Sequence, residues 1–167
     1  NLTTQALTAR GVIRVMRAQD PIGRAPGGRG SIVLVSSVLA SRPVPELFAT
    51  HAYAAAKGAI ISLATTMAAA YAPERIRVNV IAPSLTATAM AQRAAGDSAT
   101  IDFARRKQPL VDGFLDAADI APGAIYLLGE ESRAVTGQVL TIDGGWSLSA
   151  TPAGMGSGAA AGPEPTA

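Results

Sequence analysis

The chain has 167 residues, enough for one domain with a core, and it is 49% apolar and 16% charged, which excludes a disordered polymer. Its net charge is only +2, with basic residues scattered over Arg10, Arg14, Arg17, Arg24, Arg29 and Arg105-Arg106-Lys107, a solvated surface and not a nucleic-acid face. No cysteine and a single histidine exclude disulfides and thiolate sites and argue against any metal centre; no apolar run suits a membrane span and no signal peptide is visible, so a cytoplasmic protein is expected.

Asn1 leads directly into a helical pattern, so a beginning upstream of this chain is expected. From Thr3 to about Ala18, Leu7, Val12, Val15 and Met16 alternate with Arg10, Arg14 and Arg17 at helical spacing. A Gly/Pro-rich loop runs from Asp20 to Gly30. Ser31 to Ser36 is a continuous branched-apolar run that reads as a buried parallel strand. After a loop over 37–51, an alanine-rich helix is predicted from Ala52 to Ala72 and ended by Pro73. Ile76 to Ala82 is a second strand, broken by Pro83. The segment 84–116 is irregular, with a short helix near 99–107. A helix follows from Ala117 to Leu128, with Pro122 placed in its first turn, where proline is tolerated. Gln138 to Asp143 is the last strand and Gly144-Gly145 closes it. Residues 150–167 are Ala/Gly/Pro-rich without periodicity and are expected to be a disordered tail beyond a partial catalytic domain over 1–149.

Strands alternating with helices predict an α/β fold, a parallel sheet flanked by helices and joined by right-handed crossovers. Ligands in such sheets bind beyond the carboxyl ends of the strands. Those ends are Ser36-Ser37, Ala82-Pro83-Ser84 and Asp143-Gly144-Gly145. Tyr53 and Lys57 lie four apart on a helix and therefore share a face, where a lysine beside a phenol favours the phenolate that proton transfer needs. Either Ser36 or Ser37 can join them from the first strand end.

Taken in order, Asn1-Leu2, Ser36-Ser37, Tyr53-x-x-x-Lys57, Arg77-Val-Asn-Val-Ile-Ala-Pro83 and Thr136-Gly137-Gln-Val-Leu-Thr-Ile-Asp143-Gly144-Gly145 resemble the short-chain dehydrogenase/reductase family over about residues 1–149. The resemblance implies a Rossmann-like fold, incomplete, the C-terminal half of a doubly wound sheet. It implies that Tyr53 is the acid/base and that Lys57 assists it and holds the nicotinamide ribose. Ser37, with Ser36 as rival, would bind the substrate oxygen, and Asn1 would position a water joining Lys57 to solvent. Pro83-Ser84-Leu85-Thr86-Ala87-Thr88 is similar to the family's Pro-Gly-x-x-x-Thr stretch, with Ser84 where the family has glycine. This implies that Pro83, Thr86 and Thr88 bind cofactor together with Tyr53 and Lys57.

The implied cofactor is NAD or NADP, and the implied substrate is a small alcohol or carbonyl compound. The small residues Ala54, Ala55, Ala56, Gly58 and Ala59 would face a second subunit in a homodimer or homotetramer. Segment 84–116 would be a lid whose Leu85, Met90, Ile101, Phe103, Leu110, Val111 and Phe114 line an apolar pocket or the core. No phosphate-binding glycine loop is found. Gly27-Gly28-x-Gly30 precedes a strand, and Gly154-x-Gly156-x-x-Ala159 lacks one before it. The competing expectation is a truncated, catalytically idle subunit with a structural or oligomerising role, its sheet edge and apolar helix faces covered by a partner.

Overall fold

The structure is a computed structural model in which residues 1–44, 48, 50–91 and 97–149 are described, Met90 by its backbone only; the expected tail, 150–167, lies outside them. Helix α1 spans Leu2–Ala18, strand β1 Gly30–Val35, helix α2 His51–Tyr71, strand β2 Ile76–Pro83, helix α3 Ser98–Lys107, helix α4 Ala117–Leu128 and strand β3 Val139–Ile142. Each predicted element is present, with ends within one or two residues. A 3₁₀ turn over Val38–Ala40 interrupts the expected loop after β1. Helices α3 and α4 start where the side chains of Asp97 and Asp116 accept backbone N–H groups of their first turns, a local signal that makes their boundaries sharp.

The sheet is all-parallel in the order β1-β2-β3, with Gly30 opposite Ile76 and Val80 opposite Val139. Successive strand residues point to opposite faces. Ile32, Leu34, Val78 and Val80 pack with Ala9 and Ile13 of α1 and with Ile60, Ala64 and Ala68 of α2 in one core cluster. Burying a side chain such as Ile60, Val78 or Val80 contributes about 1.5–3 kcal/mol each relative to exposure. The intervening residues serve the other face. Ser31 Oγ and Arg77 Nη1 reach the Leu127 carbonyl of α4, and Gly123 sits so close to Leu140 and Ile142 that a side chain there would collide with Ile142. Helices therefore cover both faces, the doubly wound arrangement.

The sheet advances in one direction while its two connections run over opposite faces, so the two crossovers have opposite hands. The right-handed expectation holds for only one of them. That preference belongs to short connections in which the helix packs straight back on its strand. The long 84–116 segment instead carries the chain over the strand ends before α4 packs.

Three further expectations change. Strand β1 is covered on both faces by helices but not along its outer edge. Among the described residues it pairs with β2 alone, and Val35 is 47% exposed. The Gln5 side chain of α1 substitutes for a neighbouring strand there: Nε2 donates to the Val35 carbonyl (3.0 Å), and the Val35 N–H donates to Oε1 (2.8 Å). Pro122 lies in the second turn of α4, not the first, so the helix gives up one internal hydrogen bond. The third change concerns the basic run at 105–107.

Arg105 is exposed, but Lys107 is 5% exposed. Its Nζ donates to the Ser149 carbonyl (2.5 Å) and lies 5.7 Å from the Trp146 ring centroid. Burial holds the Lys107 ammonium below its ordinary value of 10.5, with Asp143 opposing part of that shift. The folded state thus releases this proton before the unfolded state does. Wild type should gain stability relative to Lys107→Met as pH rises from that lowered value toward 10.5. Denaturation midpoints of both proteins across alkaline pH check this; parallel curves would refute it.

Candidate active site

Two serines follow β1, and the fold separates their tasks. Ser36 is buried, and its Oγ donates to the Lys57 carbonyl (2.8 Å), tying α2 to the strand end. Ser37 caps the 3₁₀ turn by accepting from the Leu39 N–H (3.2 Å), and it lines a cavity beyond the strand ends. Ser36→Ala is therefore expected to lower stability by about 1 kcal/mol in a denaturant titration; no change would remove the tether.

Tyr53 lies in the first turn of α2, half-buried, and Lys57 is one turn further on and 8% exposed. Their same-face placement follows from helical geometry alone. The Lys57 ammonium lies 5.5 Å from the Tyr53 ring centroid and donates to the Val35 carbonyl (2.9 Å). Burial lowers its pKa from the ordinary lysine value. Asn1 is exposed at the N-cap of α1, and its side chain makes no capping bond. The side chain that reaches the β1 end from α1 is Gln5, a residue that sequence reasoning passed over.

Past β2, the chain is held in an extended path. The Leu85 N–H donates to Oε1 of the buried Gln108 (2.9 Å), whose Nε2 donates back to the Leu85 carbonyl (3.2 Å). A parallel bridge joins Thr86 to Leu115, formed by Ala87 N–H to the Leu115 carbonyl and Leu115 N–H to the Leu85 carbonyl. Thr86 Oγ1 donates to the Ser84 carbonyl (3.1 Å). Gln108 was the second residue missed, because an interior glutamine pairing with backbone leaves no pattern in sequence.

These segments enclose a cavity of about 420 Å³ lined by Ser37, Thr50, Tyr53, Ser84, Thr86 and Thr88 on its polar side, with Pro83 among them. Its apolar wall is Val38, Leu39, Phe48, Leu85, Ala91 and Trp146. The structure thus brings together five of the seven catalytic and cofactor-binding candidates, Ser37, Tyr53, Pro83, Thr86 and Thr88, with Lys57 behind Tyr53 and Asn1 outside the lining. Of the seven apolar residues expected from segment 84–116, Leu85 alone is in the lining among the described side chains. Phe103 is buried edge-on against Trp146 at 5.4 Å, Leu110 is 83% exposed, and the side chain of Met90 lies outside the described residues. Among the described residues no group of His, Cys, Asp and Glu could hold a metal ion, and no helix is long and apolar enough to cross a membrane.

The sequence profile of the enoyl-(acyl carrier protein) reductase family matches residues 2–147. The bovine 3-oxoacyl-[acyl-carrier-protein] reductase is 34% identical over 148 residues, 89% of this chain and 54% of that protein. The chain belongs to the short-chain dehydrogenase/reductase family. Another relative in that family, the inactive 2-(S)-hydroxypropyl-CoM dehydrogenase 2 of Xanthobacter autotrophicus, is 42% identical over 121 residues, 70% of this chain and 51% of that protein. A gluconate 5-dehydrogenase of Burkholderia cenocepacia, solved in complex with NADP and tartrate, superposes with a TM-score of 0.74 at 29% identity, covering 85% of this chain and 51% of that one. The chain therefore spans about half the length of the short-chain dehydrogenase/reductase relatives it matches.

Proposed function

We propose that this chain carries the acid/base half of an NAD- or NADP-dependent oxidoreductase acting on a small alcohol or carbonyl compound. The observation that carries this reading is the meeting of Ser37 and Tyr53 in one cavity at the carboxyl ends of parallel strands, with the Lys57 ammonium 5.5 Å from the Tyr53 ring. A bound nicotinamide would supply hydride to the carbonyl carbon, or accept it from the alcohol carbon. In reduction, Tyr53 gives its phenolic proton to the carbonyl oxygen while the Ser37 hydroxyl holds that oxygen; in oxidation Tyr53 takes the proton back. Lys57 stabilises the phenolate left on Tyr53.

The residues present fit the nicotinamide end of such a cofactor. Pro83, Thr86 and Thr88 border the cavity beside Tyr53, and the Thr88 hydroxyl and the Thr86 backbone can serve a ligand there. Lys57, Thr86 and Thr88 would hold the nicotinamide riboside. Asn1 would act through water on Lys57. The exposed Leu7, Val12 and Val15 of α1, and Gly11 and Gly58, whose side-chain positions meet open space, support pairing of α1 and α2 with a second copy.

A second reading is a catalytically idle subunit. It is favoured by the relative named inactive. Titrating the purified chain with NADH and NADPH, then assaying reduction of a simple aryl ketone, separates the two. Saturable binding with turnover that Ser37→Ala lowers at least tenfold supports the oxidoreductase, and binding of neither nucleotide supports the idle subunit.

A further inference from the structure

Buried polar groups nearly always have hydrogen-bond partners. Two in this molecule have none among the described residues: Ser84 Oγ and Trp146 Nε1. Both residues line the cavity that contains Ser37 and Tyr53. The backbone of Ser84 is already used, its N–H donating to the Ile142 carbonyl (3.3 Å) and its carbonyl accepting from Thr86 Oγ1 (3.1 Å). Only the hydroxyl is left over. It can swing among staggered rotamers, whereas the Trp146 indole is fixed between Phe48 and Phe103 at centroid distances of 6.5 and 5.4 Å. Neither atom makes a hydrogen bond that would explain its presence as structural.

We propose that Ser84 is a specificity-determining residue whose hydroxyl is held for a second, uncharged oxygen of the substrate, next to the oxygen that reacts. Ser84 and Ser37 follow the ends of neighbouring parallel strands and line the same cavity. Two hydroxyl-bearing residues on one small cavity suit a substrate with a second oxygen near the reacting one, so the substrate class is a hydroxy ketone, a vicinal diol or a dicarbonyl. The second oxygen is neutral because none of the described lining residues is charged, and a carboxylate there would lose its water without gaining a counter-charge. Val38, Leu39, Phe48 and Leu85 hold the apolar remainder. The inference rests on reading this cavity as the reaction site.

Trp146 is the single tryptophan of the chain, so its fluorescence reports cavity binding without requiring turnover. The full chain is titrated with 2-hydroxyacetophenone and with acetophenone, a pair differing by one hydroxyl. Wild type is expected to bind the hydroxy ketone at least tenfold more tightly. Ser84→Ala and Ser84→Gly should each erase that preference and leave acetophenone binding unchanged. Without ligand, the melting midpoint of Ser84→Ala should equal or exceed that of wild type, because the hydroxyl it removes has no partner to lose. Equal binding of the two ketones by wild type, no fluorescence response to either, or a preference that survives both substitutions overturns the assignment. So does a lower midpoint for Ser84→Ala, since it would mean that the hydroxyl is bonded inside the protein. Nicotinamide-dependent turnover of the same ketones keeps the two readings apart. A binding preference without turnover removes the acid/base reading and leaves Ser84 standing; turnover without the preference does the reverse.

Discussion

Tyr53→Phe is expected to lower turnover by about 10²- to 10⁴-fold, the usual contribution of a positioned acid or base. The substitution removes one oxygen and keeps the ring. Tyr53 is half-buried, and its ring keeps its place in the cavity wall and near Lys57. Folding and nicotinamide binding should therefore persist, and the loss should fall on kcat rather than on KM. Lys57→Met probes the same chemistry less cleanly, because the ammonium also donates to the Val35 carbonyl and its removal loosens the β1 end. Steady-state kinetics with a melting curve for each variant make the comparison. Turnover of Tyr53→Phe within a factor of a few of wild type would sink the role given to the phenol.

Arg77→Met should be the more damaging change for stability, costing about 3 kcal/mol. The Arg77 guanidinium leaves β2 and meets the end of α4, where the last carbonyls of any helix lack internal partners. Nη1 donates to the Leu127 carbonyl (2.8 Å) and to Ser132 Oγ (2.8 Å), and Nη2 donates to the Gly129 carbonyl (3.0 Å). A cation at a helix C-terminus also meets the negative end of the helix dipole. Burial lowers the Arg77 pKa, with Glu130 and Tyr126 opposing, yet the group stays charged at any working pH. Methionine fills the space but donates nothing, so the carbonyls are left partly dry and unpaired. Equilibrium denaturation would show the lost stability; a midpoint unchanged from wild type would mean that water replaces the guanidinium without penalty. Arg77→Lys should recover only part of the loss, since one ammonium cannot reach the same set of acceptors in a fixed fork.

Arg77 illustrates what could not be read in advance. Its place in the Arg77-to-Pro83 run was visible, but its partners lie some fifty residues later, and no local rule connects a strand arginine to a helix end that distant. Gln5 and Gln108 are similar cases. Each pairs its side-chain amide with both backbone groups of one residue, Val35 and Leu85, in the manner of a neighbouring strand. Glutamine is ordinary on a helix surface, so neither position stood out. The cavity wall was open in sequence for a related reason. The apolar residues of segment 84–116 read equally as pocket or core; Leu85 lines the cavity, Phe103 is core behind Trp146, and Phe48 from the loop before α2 and Trp146 from the turn after β3 complete the wall.

Local physics determined the elements from sequence alone. Branched apolar runs made strands, Asp97 and Asp116 started helices, and Pro83 ended β2. The four-residue step from Tyr53 to Lys57 required one helix face whatever the rest of the chain did. Those features depend on neighbours within one or two turns, which is why they are legible. Tertiary structure decided what depends on distant partners. It placed Ser37 in the cavity and gave Ser36 to the Lys57 carbonyl, buried Lys107 in a run that reads as solvated, and sent the second crossover over the opposite face. It also left the Ser84 hydroxyl with no partner among the described residues. Only packing can determine whether a polar atom is satisfied, because its partner, present or missing, is a matter of position in space and not of order along the chain.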